Sequence, residues 1–201
     1  MPDARLYLIT PALSAAGLAA FAPRFEEALA AGDVASVLAR LAPAADARRI
    51  VGPLLEIAAA HGAALLIEQD ARLAARLGAD GVHVLADEVA DAVESLKSQR
   101  IVGAGGLKLR DDAMAAGEAG ADYVMFGEPG VSASFEATRE RVAWWAEIFE
   151  TPCVACATNL DEVAVLAAAG ADFIALEGAV WEAPSAGGAV RAAIDVLARR
   201  P

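Results

Sequence analysis

Two hydrophobic periods alternate along this chain. Short apolar runs rich in Val, Ile, Leu and aromatic residues recur near 5–10, 33–41, 63–68, 80–85, 100–104, 122–127, 152–157 and 172–177, and each reads as a strand. Alanine-rich stretches with helical spacing fill the gaps, near 15–31, 44–60, 70–77, 87–97, 110–119, 134–149, 159–168 and 186–199. A repeated phrase marks the boundaries: Leu77-Gly-Ala-Asp-Gly-Val-His-Val84, Ala119-Gly-Ala-Asp-Tyr-Val-Met-Phe126 and Ala169-Gly-Ala-Asp-Phe-Ile-Ala-Leu176. Gly78, Gly120 and Gly170 suit the left-handed position that ends a helix; Ala-Asp then makes a short turn into a strand. A looser copy runs from Gly62 to Ile67. The glycines lie 42 and 50 residues apart, which leaves room in each interval for one more strand and helix. Asp111, Ser134 and Asn159 are the expected N-caps, the last followed three residues on by Glu162, as in a capping box.

Eight successive β-α units imply an α/β protein with a parallel sheet inside and helices outside, and eight is the number that closes a (β/α)8 TIM barrel. An open doubly wound sheet is the other arrangement of such units, but no G-x-G-x-x-G follows the first strand. No linker divides the chain, so residues 1–201 read as a single barrel domain.

Composition narrows the partners. With 57% hydrophobic residues the chain can fill a sizeable core, and its net charge of −12 argues against a nucleic-acid partner. The only lysines are Lys97 and Lys108, so no polybasic patch exists for a membrane surface, and no uninterrupted apolar run of about 18 residues is present to span one. Met1 to Arg5 lacks the basic-then-apolar pattern of a leader, and the expected location is cytoplasmic. Cys153 and Cys156 form a C-x-x-C inside a strand, where residues three apart face opposite sides, so the thiols are not expected to meet on a metal or in a disulfide.

In such a barrel the chemistry lies in the loops after the strands. Those loops bring Thr10 and Pro11, then Arg40, then Glu68 and Gln69, then Asp87 and Glu88. The later ones bring Gly105, Gly106 and Lys108, then Glu128, then Thr158 and Asn159, and finally Glu177, Gly178 and Ala179. Glu68, Asp87, Glu88, Glu128 and Glu177 make this an acidic mouth, suited to a metal or a cationic ligand as well as to simple solvation. Gly105 and Gly106 suit a tight turn, and their N–H groups also suit an anion. His83 is expected to be a hydrogen-bonded barrel residue rather than a metal ligand. Trp144, Trp145 and Phe149 are expected to cover the barrel, with one tryptophan available to a subunit interface and hence to a homodimer.

The opening Leu6-Tyr-Leu-Ile-Thr-Pro11, the phrase Gly78-Ala-Asp-Gly-Val-His83, the phrase Gly120-Ala-Asp-Tyr-Val124 with Phe126-Gly127, and Gly170-Ala-Asp172 resemble thiamine-phosphate synthase and its thiazole-tautomerase relatives, in that family's order and near its spacings. The resemblance covers nearly the whole chain. It implies a (β/α)8 barrel that joins a pyrimidine methyl diphosphate to a thiazole phosphate and releases pyrophosphate with the help of Mg²⁺.

Carried over by position, Arg40 matches the arginine of the family's Arg-x-Lys, whose lysine is Ala42 here. The Asn-Asp after strand 3 is Glu68-Gln69, and Glu88 stands where the next metal ligand would be, beside Asp87. The Ser-x-His after strand 5 is Gly105-Gly-Leu107, so the histidine that the tautomerase relatives use is absent. The phosphate loops after strands 7 and 8 become Ala157-Thr-Asn159 and Gly178-Ala179.

On this basis Arg40, Glu68 and Lys108 are the expected catalytic residues. Asp87 and Glu88 are the expected metal ligands, and Gly105, Gly106, Thr158, Gly178 and Ala179 the expected substrate-binding positions. Two other readings stay open. One is a non-catalytic member that binds a small ligand or a protein partner at the acidic mouth. The other is a different enzyme using carboxylates as acid and base.

Overall fold

The computed structural model describes residues 4–96, 99–131 and 134–199. Eight parallel strands pair in sequence order and close on themselves: β1 (Arg5–Ile9), β2 (Val34–Ala39), β3 (Ala64–Glu68), β4 (Gly81–Leu85), β5 (Ile101–Gly105), β6 (Tyr123–Phe126), β7 (Cys153–Ala157) and β8 (Phe173–Leu176). Helices α1 (Leu18–Leu29), α2 (Ala47–Ala60), α3 (Ala71–Leu77), α4 (Val89–Leu96), α5 (Arg110–Glu118), α6 (Phe135–Ile148) and α7 (Leu160–Ala168) follow the first seven strands; α8 (Gly178–Trp181) and α9 (Ala186–Ala198) follow β8. This is the (β/α)8 barrel that the alternation predicts. The short α8 and a 3-10 turn at Ala86–Glu88 before α4 are additions to it. The expected end of the fourth helix at Lys97 lies outside the described residues, as do Met1 to Asp3.

The repeated Gly-Ala-Asp phrase has one structural job, done three times. Gly78, Gly120 and Gly170 have φ of 79°, 96° and 107°, the left-handed turn a glycine takes without strain. The aspartate that follows grips the strand before its own. Asp80 Oδ2 accepts from Leu65 N, Asp122 Oδ2 from Val102 N and Asp172 Oδ2 from Cys153 N, each at 2.8 Å. The aspartate N–H groups return the bond to the carbonyls of Leu65, Val102 and Cys153 at 2.9, 2.8 and 3.0 Å. The pairs β3–β4, β5–β6 and β7–β8 are thereby tied at the N-terminal end of the barrel. Between β1 and β2, Arg5 pairs with Asp33 at 2.7 Å near the same end.

Strand alternation sorts the side chains into two clusters. Leu6, Leu8, Val37, Leu65, Ile67, Val82 and Cys153 point outward against the helices, while Tyr7, Ile9, Leu38, Leu66, Tyr123, Met125 and Val154 fill the barrel. The C-x-x-C divides as its spacing predicts, with Cys153 in the outer cluster and Cys156 packed against the inner one. Both thiols are free. Burial pushes Cys153 up to about 12, and desolvation, reinforced by the carboxylates of Glu128 and Glu177, pushes Cys156 well above the usual thiol range.

Ser134 and Asn159 cap α6 and α7 as expected. Asp111 does not cap α5: Leu109 holds that position, and Asp112 reaches back to accept from Lys108 N and Leu109 N at 2.9 and 2.8 Å. Trp145 is buried and donates from Nε1 to the Thr151 carbonyl at 2.7 Å, while Arg110 lies 4.7 Å over the ring of Trp144. Among the described residues no helix is long and apolar enough to cross a membrane.

Removing one aspartate tie strips a strand-end N–H of a charged acceptor. Asp122→Ala is expected to cost about 1–2 kcal/mol, or about 2–8 °C in Tm for a domain this size, in a thermal melt followed by circular dichroism; an unchanged Tm would remove the tie from any account of stability. Both thiols are expected to resist a disulfide reagent at pH 8 in the folded protein and to react at once in denaturant, whereas rapid labelling of the native chain would contradict their raised pKa values.

Candidate active site at the barrel mouth

A cavity of about 760 Å³ opens at the C-terminal ends of β2 to β6, lined by residues that include Arg40, Glu68, Gln69, Asp87, Lys108 and Glu128. A cavity of about 640 Å³ between α2 and α3, lined by Arg48, Leu73 and Arg76, lies on the outer flank, away from the strand ends. Barrel geometry favours the mouth as the reaction site.

Arg40 is fixed at both backbone and side chain. Its N–H donates to the hydroxyl of the fully buried Thr10 at 3.0 Å, and that hydroxyl donates to the Pro11 carbonyl at 2.9 Å. The Thr-Pro of the opening phrase thus sets the course of the chain after β2. The guanidinium is bracketed by two carboxylates: Nε lies 3.3 Å from Glu68 Oε1 and Nη1 2.7 Å from Glu177 Oε1. Glu177 therefore turns across the mouth to the arginine, away from the loop it introduces.

The expected site residues do not all converge. Arg40, Glu68, Asp87, Gly106 and Lys108 line one cavity. Glu88 lines a neighbouring groove with Asp70, Arg72 and Asp91 and caps its own turn by accepting from Leu85 N at 3.4 Å, while Asp87 lines the cavity itself. No cluster of three or more His, Cys, Asp or Glu side chains poised to hold a metal exists among the described residues. Gly106, at φ 69°, is the turn glycine, and its N–H is already given to Glu128 Oε1 at 2.8 Å. Thr158 is likewise engaged within its own loop, its N–H and hydroxyl both going to the Glu162 carboxylate at 2.7 and 3.0 Å. Leu107 is buried in the outer cluster. Gly178 and Ala179 open α8 after Glu177, which makes no side-chain cap.

The barrel interior holds an arrangement that strand patterning alone does not disclose. Tyr7 Oη lies 2.9 Å from Tyr123 Oη, Tyr123 Oη lies 2.9 Å from His83 Nδ1, and His83 Nε2 lies 3.1 Å from Glu128 Oε2. A carboxylate only accepts, so Nε2–H donates to Glu128; in a neutral imidazole Nδ1 then accepts from the Tyr123 hydroxyl, which accepts from Tyr7. Burial pushes both tyrosine hydroxyls well above their ordinary range and keeps them protonated. His83 is thus a hydrogen-bonded barrel residue.

Strand β5 provides the space for this chain of bonds. A Cβ on Gly103 would lie 2.0 Å from Tyr123 Cζ, and one on Gly105 would lie 2.1 Å from Glu128 Oε2 and 2.3 Å from His83 Nε2. Gly105 is a packing glycine; the turn belongs to Gly106. The alternation of glycines at inward positions 103 and 105 was the available signal. Gln69, placed after strand 3 by the sequence but given no role there, lines the mouth with φ 59°, a left-handed conformation unusual for a residue with a side chain.

Comparison with known proteins agrees with this architecture. The profile of the family described as thiamine monophosphate synthase matches residues 6–180. Thiamine-phosphate synthase of Rhodospirillum centenum is 42% identical over 92% of this chain and 93% of its own length, and that of Erythrobacter litoralis is 39% identical over 98% and 94%. The solved structure of thiamine phosphate pyrophosphorylase from Pyrococcus furiosus superposes with a TM-score of 0.80, covering 98% of this chain and 96% of that one at 24% identity, a likeness of fold. By the family match and by these two relatives, the chain belongs to the thiamine monophosphate synthase family.

Proposed function

We propose that the protein is a transferase of thiamine biosynthesis that joins a pyrimidine methyl diphosphate to a thiazole phosphate and releases pyrophosphate. The observation that carries this reading is the match to thiamine-phosphate synthases along nearly the whole chain, with Arg40 and Asp87 on one cavity at the strand ends.

Arg40 and Lys108 supply the positive charge for the diphosphate. Arg40 exchanges its carboxylate partners for phosphate oxygens on binding, because the guanidinium is already committed to Glu68 and Glu177. That exchange weakens diphosphate binding by the strength of the pairs it breaks, and it keeps the arginine ordered before substrate arrives. The loops after β5 and β7 contribute little to phosphate, since the amides of Gly106, Lys108 and Thr158 are held by Glu128, Asp112 and Glu162. Gly178 and Ala179, in the loop after β8, are the amide donors assigned to the thiazole phosphate.

The mouth fits a hard cation of the Mg²⁺ kind. Such an ion is held by one or two carboxylates plus substrate phosphate oxygens rather than by a closed protein cage, and Asp87 and the Gln69 amide oxygen border the cavity as oxygen donors. When bound, Mg²⁺ would neutralise the leaving diphosphate. The surrounding carboxylates favour the positive charge that develops on the pyrimidine methylene as the diphosphate departs.

The reading is tested by mixing the purified chain with both substrates and Mg²⁺ and following thiamine phosphate through its fluorescent oxidation product. Turnover is expected; its absence from a folded sample, beside an active relative, would overturn the reading. Arg40→Ala and Asp87→Asn are expected to lower kcat/KM by about 100-fold, the scale of a lost charged contact in the transition state, while Glu88→Gln stays within about threefold because its carboxylate faces another groove. Equal losses at 87 and 88 would restore the pair as joint ligands. Glu177→Gln removes one competitor for Arg40 and is expected to tighten pyrophosphate binding about tenfold, or about 1.4 kcal/mol, by calorimetry; weaker binding would mean that Glu177 orients the arginine for phosphate.

A further inference from the structure

The inside of a (β/α)8 barrel is filled by layers of side chains. Near the N-terminal end of this barrel the filling is incomplete. Strands β2, β3 and β4 place Ser36, Ala64 and Gly81 on the inner side there, two residues before Leu38, Leu66 and His83. Three neighbouring strands thus send no large side chain into that end. A cavity of about 210 Å³ remains, lined by residues that include Tyr7, Ser36, Asp122, Tyr123, Val154 and Phe173. It shares no lining residue with the mouth cavity. Ser36 and Phe173 are only half-buried, which leaves a way in from solvent.

A single substituted ring fits this volume, since an apolar cavity of about 150 Å³ takes benzene. Walls of Val154, Phe173 and two tyrosine rings suit an aromatic molecule. Hydrogen bonding decides what the ring must carry. His83 Nε2 donates to Glu128, and in a neutral imidazole Nδ1 accepts from Tyr123, which has then spent its proton. Tyr7 therefore donates to Tyr123, and every proton of the chain points toward the mouth. At the other end Tyr7 Oη is left with lone pairs alone, and among the described residues no group donates to it. Asp122 also only accepts, already holds Val102 N–H, and disfavours an anion. We propose that this cavity binds a small, non-anionic aromatic molecule whose O–H or N–H donates to Tyr7 Oη, and that Glu128 sets the preference for a donor from the opposite end of the barrel by fixing the direction of the bonds. This site lies outside the transferase reading and does not depend on it.

The test titrates the ¹⁵N-labelled full chain by NMR with phenol and with benzonitrile, a ring of similar size that can only accept. Wild type is expected to bind phenol about fivefold more tightly, the scale of one hydrogen bond. Amide shifts at Val154 and Phe173 and movement of the His83 ring nitrogens are expected to accompany binding. The only other histidine, the exposed His61, is the internal control and stays in place. Ser36→Leu fills the cavity and is expected to abolish phenol binding; if leucine is not tolerated, the smaller Ser36→Val is expected to weaken it.

Glu128→Gln tests the link between the two ends. Its amide oxygen must serve Gly106 N–H, so its NH₂ faces His83 Nε2 and forces the imidazole into the Nδ1–H tautomer, visible in the ring nitrogen shifts. The chain then runs backwards: His83 donates to Tyr123, Tyr123 to Tyr7, and the Tyr7 O–H is left for the cavity. Benzonitrile is expected to gain about fivefold, while phenol, which also accepts, changes little, so the preference disappears. A thermal melt confirms that each variant is folded. Equal binding of the two probes by wild type, a preference unchanged in folded Glu128→Gln, phenol binding unaffected by either Ser36 variant, or amide shifts confined to the mouth around Gly106 would each overturn the proposal.

Discussion

The tie between an aspartate and the first residues of the preceding strand underlies the rest of this molecule. Asp80, Asp122 and Asp172 each accept from one strand amide and donate to the carbonyl of the same residue. These bonds pin alternate strand pairs at the N-terminal end of the barrel. The strands are four to six residues long, so a pairing error of one residue would exchange the inner and outer faces of an entire strand. With register set at one end, the side chains at the other arrive in fixed places. Arg40, Glu68, His83 and Glu177 are each only a few residues from a tied or closely paired strand end.

The mouth built on that frame is largely satisfied from within. Carboxylates of Glu128, Asp112 and Glu162 hold the loop amides after β5 and β7, and Glu68 and Glu177 hold the arginine. A site prepared for phosphate would leave such donors free. Here they are partnered, so in the proposed reaction an anion would bind by exchange, and the negative field that weakens its contact would favour positive charge on the heterocycle. The acidic composition of the sequence thus has a local expression at the place where the chemistry is proposed.

The fold was legible because its signals are local and repeated. The Gly-Ala-Asp turns fix helix ends and strand starts through backbone conformation set by residues adjacent in sequence, while the aspartate's two bonds reach back 15 to 20 positions to the preceding strand. Arg40, Glu68 and Lys108 were legible as mouth residues because each follows a strand. Direction was not legible: Asp87 and Glu88 are neighbours in one turn, yet one faces the cavity and the other a groove beside it. At α5 likewise, Asp111 was the expected cap, yet its neighbour Asp112 takes the amides of Lys108 and Leu109. The chain from Tyr7 to Glu128 was hidden for a different reason. Its members lie 116, 40 and 45 positions apart, and only barrel closure brings them together.

Gly105 constrains the order in which this mouth can change. With any side chain at 105, a Cβ would stand 2.1 Å from a Glu128 oxygen, so the glutamate cannot enter its present position until the strand has been cleared. Glycine at 105 tolerates many residues at 128, but the reverse does not hold. A side chain at 105 therefore displaces the Glu128 carboxylate from His83, while a change at 128 leaves the strand backbone as it is. The two positions are thus coupled in one direction: what stands at 105 decides where a side chain at 128 can reach.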